Sequence, residues 1–464
     1  MVTINLDKIF NPKSVAVVGA SDEEGTVGYA LMKNLSQLGF EGKVYPVNIH
    51  KDEILGLKAY KSVSELPETV DLAVIATPAK TVPDVVEQCG KAGIIGIIII
   101  SAGFKEIGAE GKALEDKIVE LKRKYNLRII GPNCLGIIRP SINLNATFAN
   151  KTPKPGNIAF ISQSGALGTA ILDWATHENI GFSNFVSVGS MIDVAFGDLI
   201  DYFGTDPKTR SILMYIEGIK NARNFMSAAR HFARTKPLIV VKAGKFGESA
   251  KAAASHTGSL TGDDMIYDAA FKRAGIVRVE EIADLFNCAE VLGMQPLPNG
   301  PNLVIITNAG GPGVMATDAL IARNGTLAKL SPRTMEALNG ILPHYWSRAN
   351  PVDILGDANA ERYKAVVEFC LKDENVDGLL IIYTPQGVAE PSEIAKNIVE
   401  LSKARMPHKT VLTSFMGAEM TEEANRILTE NSIPTYATPE QAVATYMYMY
   451  QYKRNLELLY ETPE

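Results

Sequence analysis

This sequence predicts an α/β protein of about three units. Three observations carry that reading. Short β-branched runs alternate with amphipathic stretches through roughly the first 130 residues, a later segment recurs further down the chain, and the composition is that of a large globular protein. At 464 residues, with 46% hydrophobic and 21% charged side chains, the chain is too long for one core and ordinary in content.

The first unit, 1–138, is read from "SVAVVGA" (14–20), "KVYPVN" (43–48), "LAVIAT" (72–77), "GIIIIS" (96–101) and "LRIIG" (127–131) as strands. Their apolar runs are continuous rather than alternating, which marks strands buried on both faces of a parallel sheet. "VGYALMKNLSQLG" and "VPDVVEQCGKAG" are the covering helices. The unit is therefore expected to be Rossmann-like. Its first strand runs through a small-residue turn into a helix (15–35), where backbone N–H groups can approach a phosphate. The turn departs from the dinucleotide fingerprint twice. Strict GxGxxG is missing, and Asn48 ends the second strand where nicotinamide enzymes place a ribose-binding acid. An ordinary tight strand–helix connection is one reading. Under the other, the missing acid points away from NAD and toward another adenosine phosphate, such as coenzyme A.

The rest of the chain is an internal repeat. Setting "GNIAFISQSGALGTAILDWA" (156–175) over "PNLVIITNAGGPGVMATDAL" (301–320) aligns Asn157 with Asn302, Ile161 with Ile306, Gly165 with Gly310, Gly168 with Gly313 and Asp173 with Asp318. "SILMYIEGI" then answers to "GLLIIYTPQG", and "KPLIVVKAG" to "HKTVLTSFMG". Two flavodoxin-like, doubly wound domains are expected, 139–295 and 296–464. "RPSINLNATFANKTPKPGN" (139–157) marks the earlier boundary, and the Pro/Gly-rich "LGMQPLPNGPN" (292–302) is the linker between them.

Several classes are disfavoured. The formal net charge is −6 with no basic block, so neither nucleic acid nor an anionic membrane has an electrostatic footprint. The longest apolar stretch, "AGIIGIIIISAGF" (92–104), is too short to span a bilayer. "MVTINLDKIF" lacks the pattern of a signal peptide, and Cys89, Cys134, Cys288 and Cys370 are too scattered for a zinc site or disulfide framework. A cytoplasmic protein with no metal site of its own is expected. Cys134, in "GPNCLG", reads as a structural thiol.

Chemistry is concentrated in two stretches. "ISQSGALG" (161–168) places serine hydroxyls and a glycine between an apolar strand and a long helix, so donors face an anion along a positive helix end. A plain N-cap by Ser162 or Ser164 is the alternative, and both can hold together. The repeat copy, "TNAGGPG" (307–313), keeps the glycines and loses the serines. It is either a degenerate anion site or inherited geometry. "KAAASHTGSLTGDD" (251–264) surrounds His256 with the smallest side chains available. An imidazole titrates near neutrality, and small neighbours admit an anionic phosphoryl donor. Gly258 and Gly262 supply freedom, and Asp263 can cap the helix that follows. A loop histidine without a role is the competing reading. Glu217, in "MYIEGIK" at a strand end of the same domain, is the acid placed to orient the imidazole.

Together, "AGKFGESAKAAASHTGSLTGDD", "SQSGALG", "IEGI", "GPNCLG" and "NPVDILGDA" resemble the α subunit of ADP-forming acetyl-CoA synthetases, the NDP-forming acetate–CoA ligases related to succinyl-CoA synthetase. The resemblance covers essentially the whole chain. It implies a CoA-binding Rossmann-like domain, a domain carrying a phosphorylated histidine, and a ligase domain of flavodoxin type. It further implies that His256 takes the phosphoryl group and Glu217 orients it. Gln163, Ser164, Gly165 and Asn133 would lie at the phosphate and acyl position. Gly19, Ala20, Ser21, Gly25, Asn48, Thr77, Pro78, Ser101, Ala102 and Gly103 would hold CoA, the last three within "SAGFKE" (101–106). The family also needs an ATP-grasp module for ADP and Mg²⁺, and no such motif is present, because "GKFGES" (244–249) is not a Walker A sequence. A separate ATP-grasp β subunit is therefore expected, in an α2β2 assembly. The rival readings are an NAD(P)-dependent dehydrogenase and a non-catalytic CoA-sensing subunit.

Overall fold

The computed structural model describes residues 3–249, 263–403 and 409–461. The chain forms two compact units, Met1–Arg278 and Val279–Glu464.

The first unit contains two sheets. One is built from β1 (Ser14–Val18), β2 (Lys43–Val47), β5 (Leu72–Ile75), β6 (Gly96–Ile99) and β7 (Arg128–Ile130); β3 (Glu53–Ile54) and β4 (Leu57–Lys58) form a separate small hairpin. The order is β2–β1–β5–β6–β7, and every pairing is parallel. Burial of both faces is visible residue by residue. Val15 and Val17 enter one core, while Ala16 and Val18 enter another with Ile97, Ile99 and Val86. A strand with two buried faces has no place for polar alternation, hence the unbroken apolar runs.

The second sheet contains β8 (Gly136–Arg139), β9 (Leu144–Thr147), β10 (Pro155–Ser162), β11 (Phe182–Ser187), β12 (Ser211–Ile216), β13 (Leu238–Lys242) and β14 (Val277–Val279). Its order is β14–β13–β12–β10–β11–β8–β9. The run from β11 to β13 is parallel, and β8 and β9 extend it antiparallel. The stretch 139–157 thus carries a strand of this sheet, and residue 138 falls inside β8.

The second unit is built on β15 (Asn302–Thr307), β16 (Thr326–Leu327), β17 (Val352–Asp353), β18 (Gly378–Tyr383) and β19 (Thr410–Phe415), ordered β16–β15–β18–β19 with β17 also on β15. Helix Ile282–Met294 packs on helix Pro439–Tyr460 within this unit, so the compact units divide ahead of the 292–302 stretch. The strand order repeats that of β11–β10–β12–β13, and the flavodoxin-like winding recurs with it.

The repeat extends to individual hydrogen bonds. After β10, Ser162 Oγ donates to the carbonyl of Ser164 (2.9 Å) and accepts its N–H (3.1 Å). After β15, Thr307 Oγ1 does the same with Ala309, at 2.7 and 3.0 Å. Gln163 Oε1 accepts the N–H of Glu217, and Asn308 Oδ1 accepts that of Thr384, each linking the central strand's end to its neighbour's.

Candidate active site

The parallel strands of the first unit end in turns made of small residues, and these ends enclose a cleft of about 830 Å³. Ligands of doubly wound sheets bind at this carboxyl edge. One wall comes from the first sheet: Thr77 and Pro78 after β5, Ser101 and Ala102 after β6, and Asn133 after β7. The other comes from Gln163, Ser164 and Gly165 at the start of helix Gly165–His177, and from residues 218–220 after β12.

Hydrogen bonds fix the first wall. Ser101 Oγ donates to the carbonyl of Thr77 (2.5 Å), and the Asn133 N–H donates to that of Ser101 (2.9 Å). Asn133 has φ 55°, a left-handed conformation that asparagine tolerates. The segment 189–194 runs beside this strand end. The N–H groups of Ser190, Ile192 and Val194 donate to the carbonyls of Pro132, Gly131 and Ile129. Contact is so close at Gly189 that a Cβ would lie 2.2 Å from the Pro132 oxygen.

The second wall presents a helix N-terminus. Ser164 is the N-cap, its Oγ accepting the Leu167 N–H at 3.3 Å, so the capping reading of this serine holds. At Gly165 the protein would leave a Cβ at ordinary contact distance, 3.5 Å from Leu135. The glycine therefore answers no clash within the chain and keeps the helix start open to a cleft ligand. Gln163 Oε1 accepts two N–H groups, from Glu217 (2.5 Å) and Gly218 (2.9 Å). Its NH₂ group is the part left to face a ligand.

Glu217 is buried, 6% exposed, directly after β12. It does not line the cleft. Its charge adds to the burial that raises the Tyr215 hydroxyl, and it partly offsets the burial that lowers the ammonium of the equally buried Lys242. Lys242 donates to the Ala243 carbonyl and lies 4.5 Å from the Tyr267 ring centroid. His256, Gly258 and Gly262 lie outside the described residues. Asp263 caps helix Asp264–Arg273 as expected, accepting the Met265 N–H at 3.0 Å.

The remaining residues expected to hold CoA do not line the cleft; all but Gly103, which follows β6, lie about the β1 and β2 ends. Gly19 has φ +91°, and a Cβ there would sit 2.8 Å from the Ala76 oxygen. Ser21 Oγ accepts the Glu23 N–H, and Gly25 has φ +84° with open space around it. Asn48 donates to the Ala20 carbonyl (2.9 Å) and accepts from His50 and Lys51, which pins the two strand ends together. Gly103 donates its N–H to Glu106 Oε1 at 2.7 Å. Sequence reasoning did not single out Gly28, where a Cβ would lie 2.1 Å from the Gly19 oxygen. That glycine lets the helix press against the turn, and its spacing from Gly25 was the available signal. The lysines Lys105 and Lys220 on the cleft wall were not singled out either, although Lys105 falls in the stretch 101–106 expected to hold CoA. Cys134 is a buried thiol donating to the Ile99 carbonyl, pushed up to about 12 by burial.

The glycine-rich turn of the second unit has a different environment. Helix Gly310–Ala322 lacks a side-chain cap, and Asp353 Oδ2 would be 3.7 Å from a Cβ on Gly310. A carboxylate beside a helix start opposes an anion there. No helix among the described residues is long and apolar enough to cross a membrane.

Known proteins match three successive stretches of the chain. Residues 13–140 match a CoA binding domain, 155–292 a succinyl-CoA ligase like flavodoxin domain, and 303–460 a ligase-CoA domain. The acetate–CoA ligase [ADP-forming] I subunit alpha of Pyrococcus furiosus is 43% identical over 97% of this chain and 98% of its own length. The acetate–CoA ligase [ADP-forming] of Methanocaldococcus jannaschii is 47% identical over 96% of this chain and 63% of its own length. Among solved structures, the dinucleotide forming acetyl-coenzyme A synthetase 1 of Ca. Korarchaeum cryptofilum, in complex with phosphate and ADP, has a TM-score of 0.86 and 40% identity over 98% of each chain. With such identity over nearly its full length, the chain belongs to the ADP-forming acetate–CoA ligase family.

Proposed function

We propose that this chain is the α subunit of an ADP-forming acyl-CoA synthetase of the acetate–CoA ligase type, interconverting acyl-CoA, phosphate and ADP with the free acid, CoA and ATP. The observation carrying this reading is the single cleft shared by the strand ends of the CoA-binding sheet and the helix start at Ser164–Gly165. A thioester carbonyl and a phosphate can meet there. A phosphate oxygen attacks the carbonyl carbon, the C–S bond breaks, and CoA leaves as its thiol after taking a proton. N–H groups at the helix start stabilise the phosphate charge. His256 then attacks phosphorus and the carboxylate leaves. ADP finally takes the phosphoryl group from the imidazole. Glu217, fixed by Gln163, orients the histidine.

The division of labour follows the chain: 1–138 takes CoA through Gly19, Ala20, Ser21, Gly25, Asn48, Thr77, Pro78, Ser101, Ala102 and Gly103; 139–295 carries the phosphohistidine; 296–464 completes the ligase. ADP and Mg²⁺ belong to an ATP-grasp β subunit in an α2β2 assembly. Two relatives support this split. The Pyrococcus protein, named as a subunit alpha, is matched over 98% of its length, and the Methanocaldococcus protein over only 63%.

Labelling tests the reading. Incubation with radiolabelled phosphate and acetyl-CoA should place acid-labile, base-stable label on the wild-type chain and none on His256→Ala. A labelled His256→Ala chain would overturn it. A dehydrogenase or a CoA sensor would carry no label in either form.

A further inference from the structure

Two lysines on the cleft wall have no part in the scheme above. Lys105 stands on the short turn Lys105–Ile107 after β6, and Lys220 lies just beyond β12. They come from different sheets and line the same cleft as Ser164 and Gly165. Lys220 is exposed along much of its side chain, yet its ammonium is turned under the 189–191 segment. It donates there to the carbonyls of Ser190 (2.5 Å) and Met191 (3.3 Å), both cleft residues. Carbonyl oxygens accept from an ammonium without neutralising it, so Lys220 brings net positive charge to the cleft.

We propose that Lys220, on the same wall as the helix start at Ser164–Gly165 and with Lys105 brought near it from the other sheet, is a further catalytic residue that binds the phosphate oxyanion of the reacting phosphate and acyl phosphate. The inference rests on the proposed function above. Two ammonium groups held near one another repel, and a multiply charged oxyanion between or beside them relieves that repulsion. Burial, then the Lys105 charge, lowers Lys220 to about 8, with Glu115 acting in the opposite direction and Lys112 adding to the fall. Glu106 is the carboxylate on the same wall, and its Oε1 accepts the Gly103 N–H. Phosphate binding should therefore weaken as pH rises through about 8, where Lys220 loses its proton.

The test is calorimetric titration of the full chain with inorganic phosphate from pH 7 to 9, beside holoenzyme kinetics with phosphate and acyl-CoA varied separately. Lys220→Met should weaken phosphate about tenfold or more at pH 7 and remove the fall above pH 8. Lys220→Arg should keep the affinity and carry it to higher pH. Lys105→Met leaves the carbonyl bonds of Lys220 in place, so it serves if Lys220→Met misfolds. It should weaken phosphate and move the fall to higher pH. In the holoenzyme the loss should appear in KM for phosphate and not for acyl-CoA. The phosphates of CoA are the other source of this anion. If Lys220→Met instead narrows the difference between CoA and dephospho-CoA binding while phosphate affinity stands, the proposal is overturned. Unchanged phosphate affinity in both Met variants also overturns it. Neither result touches the phosphohistidine reading, which fails if His256→Ala is labelled or the wild-type chain is not.

Discussion

Gln163 ties the proposed phosphate site to the proposed orienting acid, and its substitution separates structure from chemistry. Its Oε1 accepts the N–H groups of Glu217 and Gly218, the first belonging to a buried residue. Gln163→Leu removes the acceptor and leaves two donors without it. A buried donor left unpaired costs about 1–3 kcal/mol, and the second, part-buried donor costs less because water reaches it, so about 2–4 kcal/mol is expected. For a unit of this size that corresponds to a melting point lower by about 4–12 °C. Gln163→Glu keeps an acceptor in the same place and adds a negative charge beside the helix start. It should lose little stability, yet bind phosphate more weakly and phosphorylate His256 about tenfold or more slowly. The assays are thermal unfolding and single-turnover labelling with radiolabelled phosphate and acetyl-CoA. A Gln163→Leu chain melting within about 1 °C of wild type would show that these two bonds do not hold the strand end. A Gln163→Glu chain labelled at the normal rate would remove the phosphate from this part of the cleft.

Other consequences are as concrete. Gly28→Ala drives a Cβ into the Gly19 carbonyl at 2.1 Å and should weaken CoA binding and lower the melting point; equilibrium dialysis at wild-type affinity would refute a close-packed turn. Glu217→Gln should slow phosphorylation of His256 with KM for CoA nearly unchanged, and normal phosphorylation would mean the orienting group lies elsewhere. Burial raises all four thiols, Cys89, Cys134 and Cys370 to about 12, so the native chain should give no fast reaction with a thiol reagent at pH 7–8 and four equivalents when unfolded. CoA at a hundred times its Kd should stabilise the isolated chain by about 2.7 kcal/mol, whereas ADP should stabilise it only with the partner subunit present. Stabilisation by ADP alone would place a nucleotide site in this chain.

The sheets were legible because their signal is local. Each strand of the first sheet is a short apolar run, and alternate residues such as Val15 and Ala16 simply enter different cores. The repeat was legible for the same reason, since β10 and β15 carry aligned apolar runs and aligned turns. The ends of the units were not. β9 reads as linker, "LNAT" amid Pro, Asn and Lys, because its partner is β8 and no apolar period marks a short antiparallel edge. Likewise the Pro/Gly stretch at 292–302 looks like a division, while helix Ile282–Met294 is held by a helix more than a hundred residues later. Composition records flexibility of the chain but not which core a helix joins.

The site divides along the same line. Turns that follow a strand directly were found: the cleft gathers Thr77, Pro78, Ser101, Ala102, Asn133, Gln163, Ser164 and Gly165 from four strand ends. What escaped is chemistry assembled between such turns. Lys105 and Lys220 lie far apart in sequence, and although each sits in a marked stretch, "SAGFKE" and "MYIEGIK", nothing in the sequence shows that the two share a cleft. The two copies of the repeat show why a turn alone does not decide function. Ser162 and Thr307 close the same hydrogen-bonded loop, and Gln163 and Asn308 make the same bridge to the next strand. Yet the first copy caps its helix with Ser164 and opens on a cleft bearing two lysines, and the second has Ala309 and a carboxylate from Asp353 at its helix start. Shared backbone wiring preserves the winding in both copies. The charges brought in from other strand ends differ between the copies, lysines on the first and a carboxylate at the second.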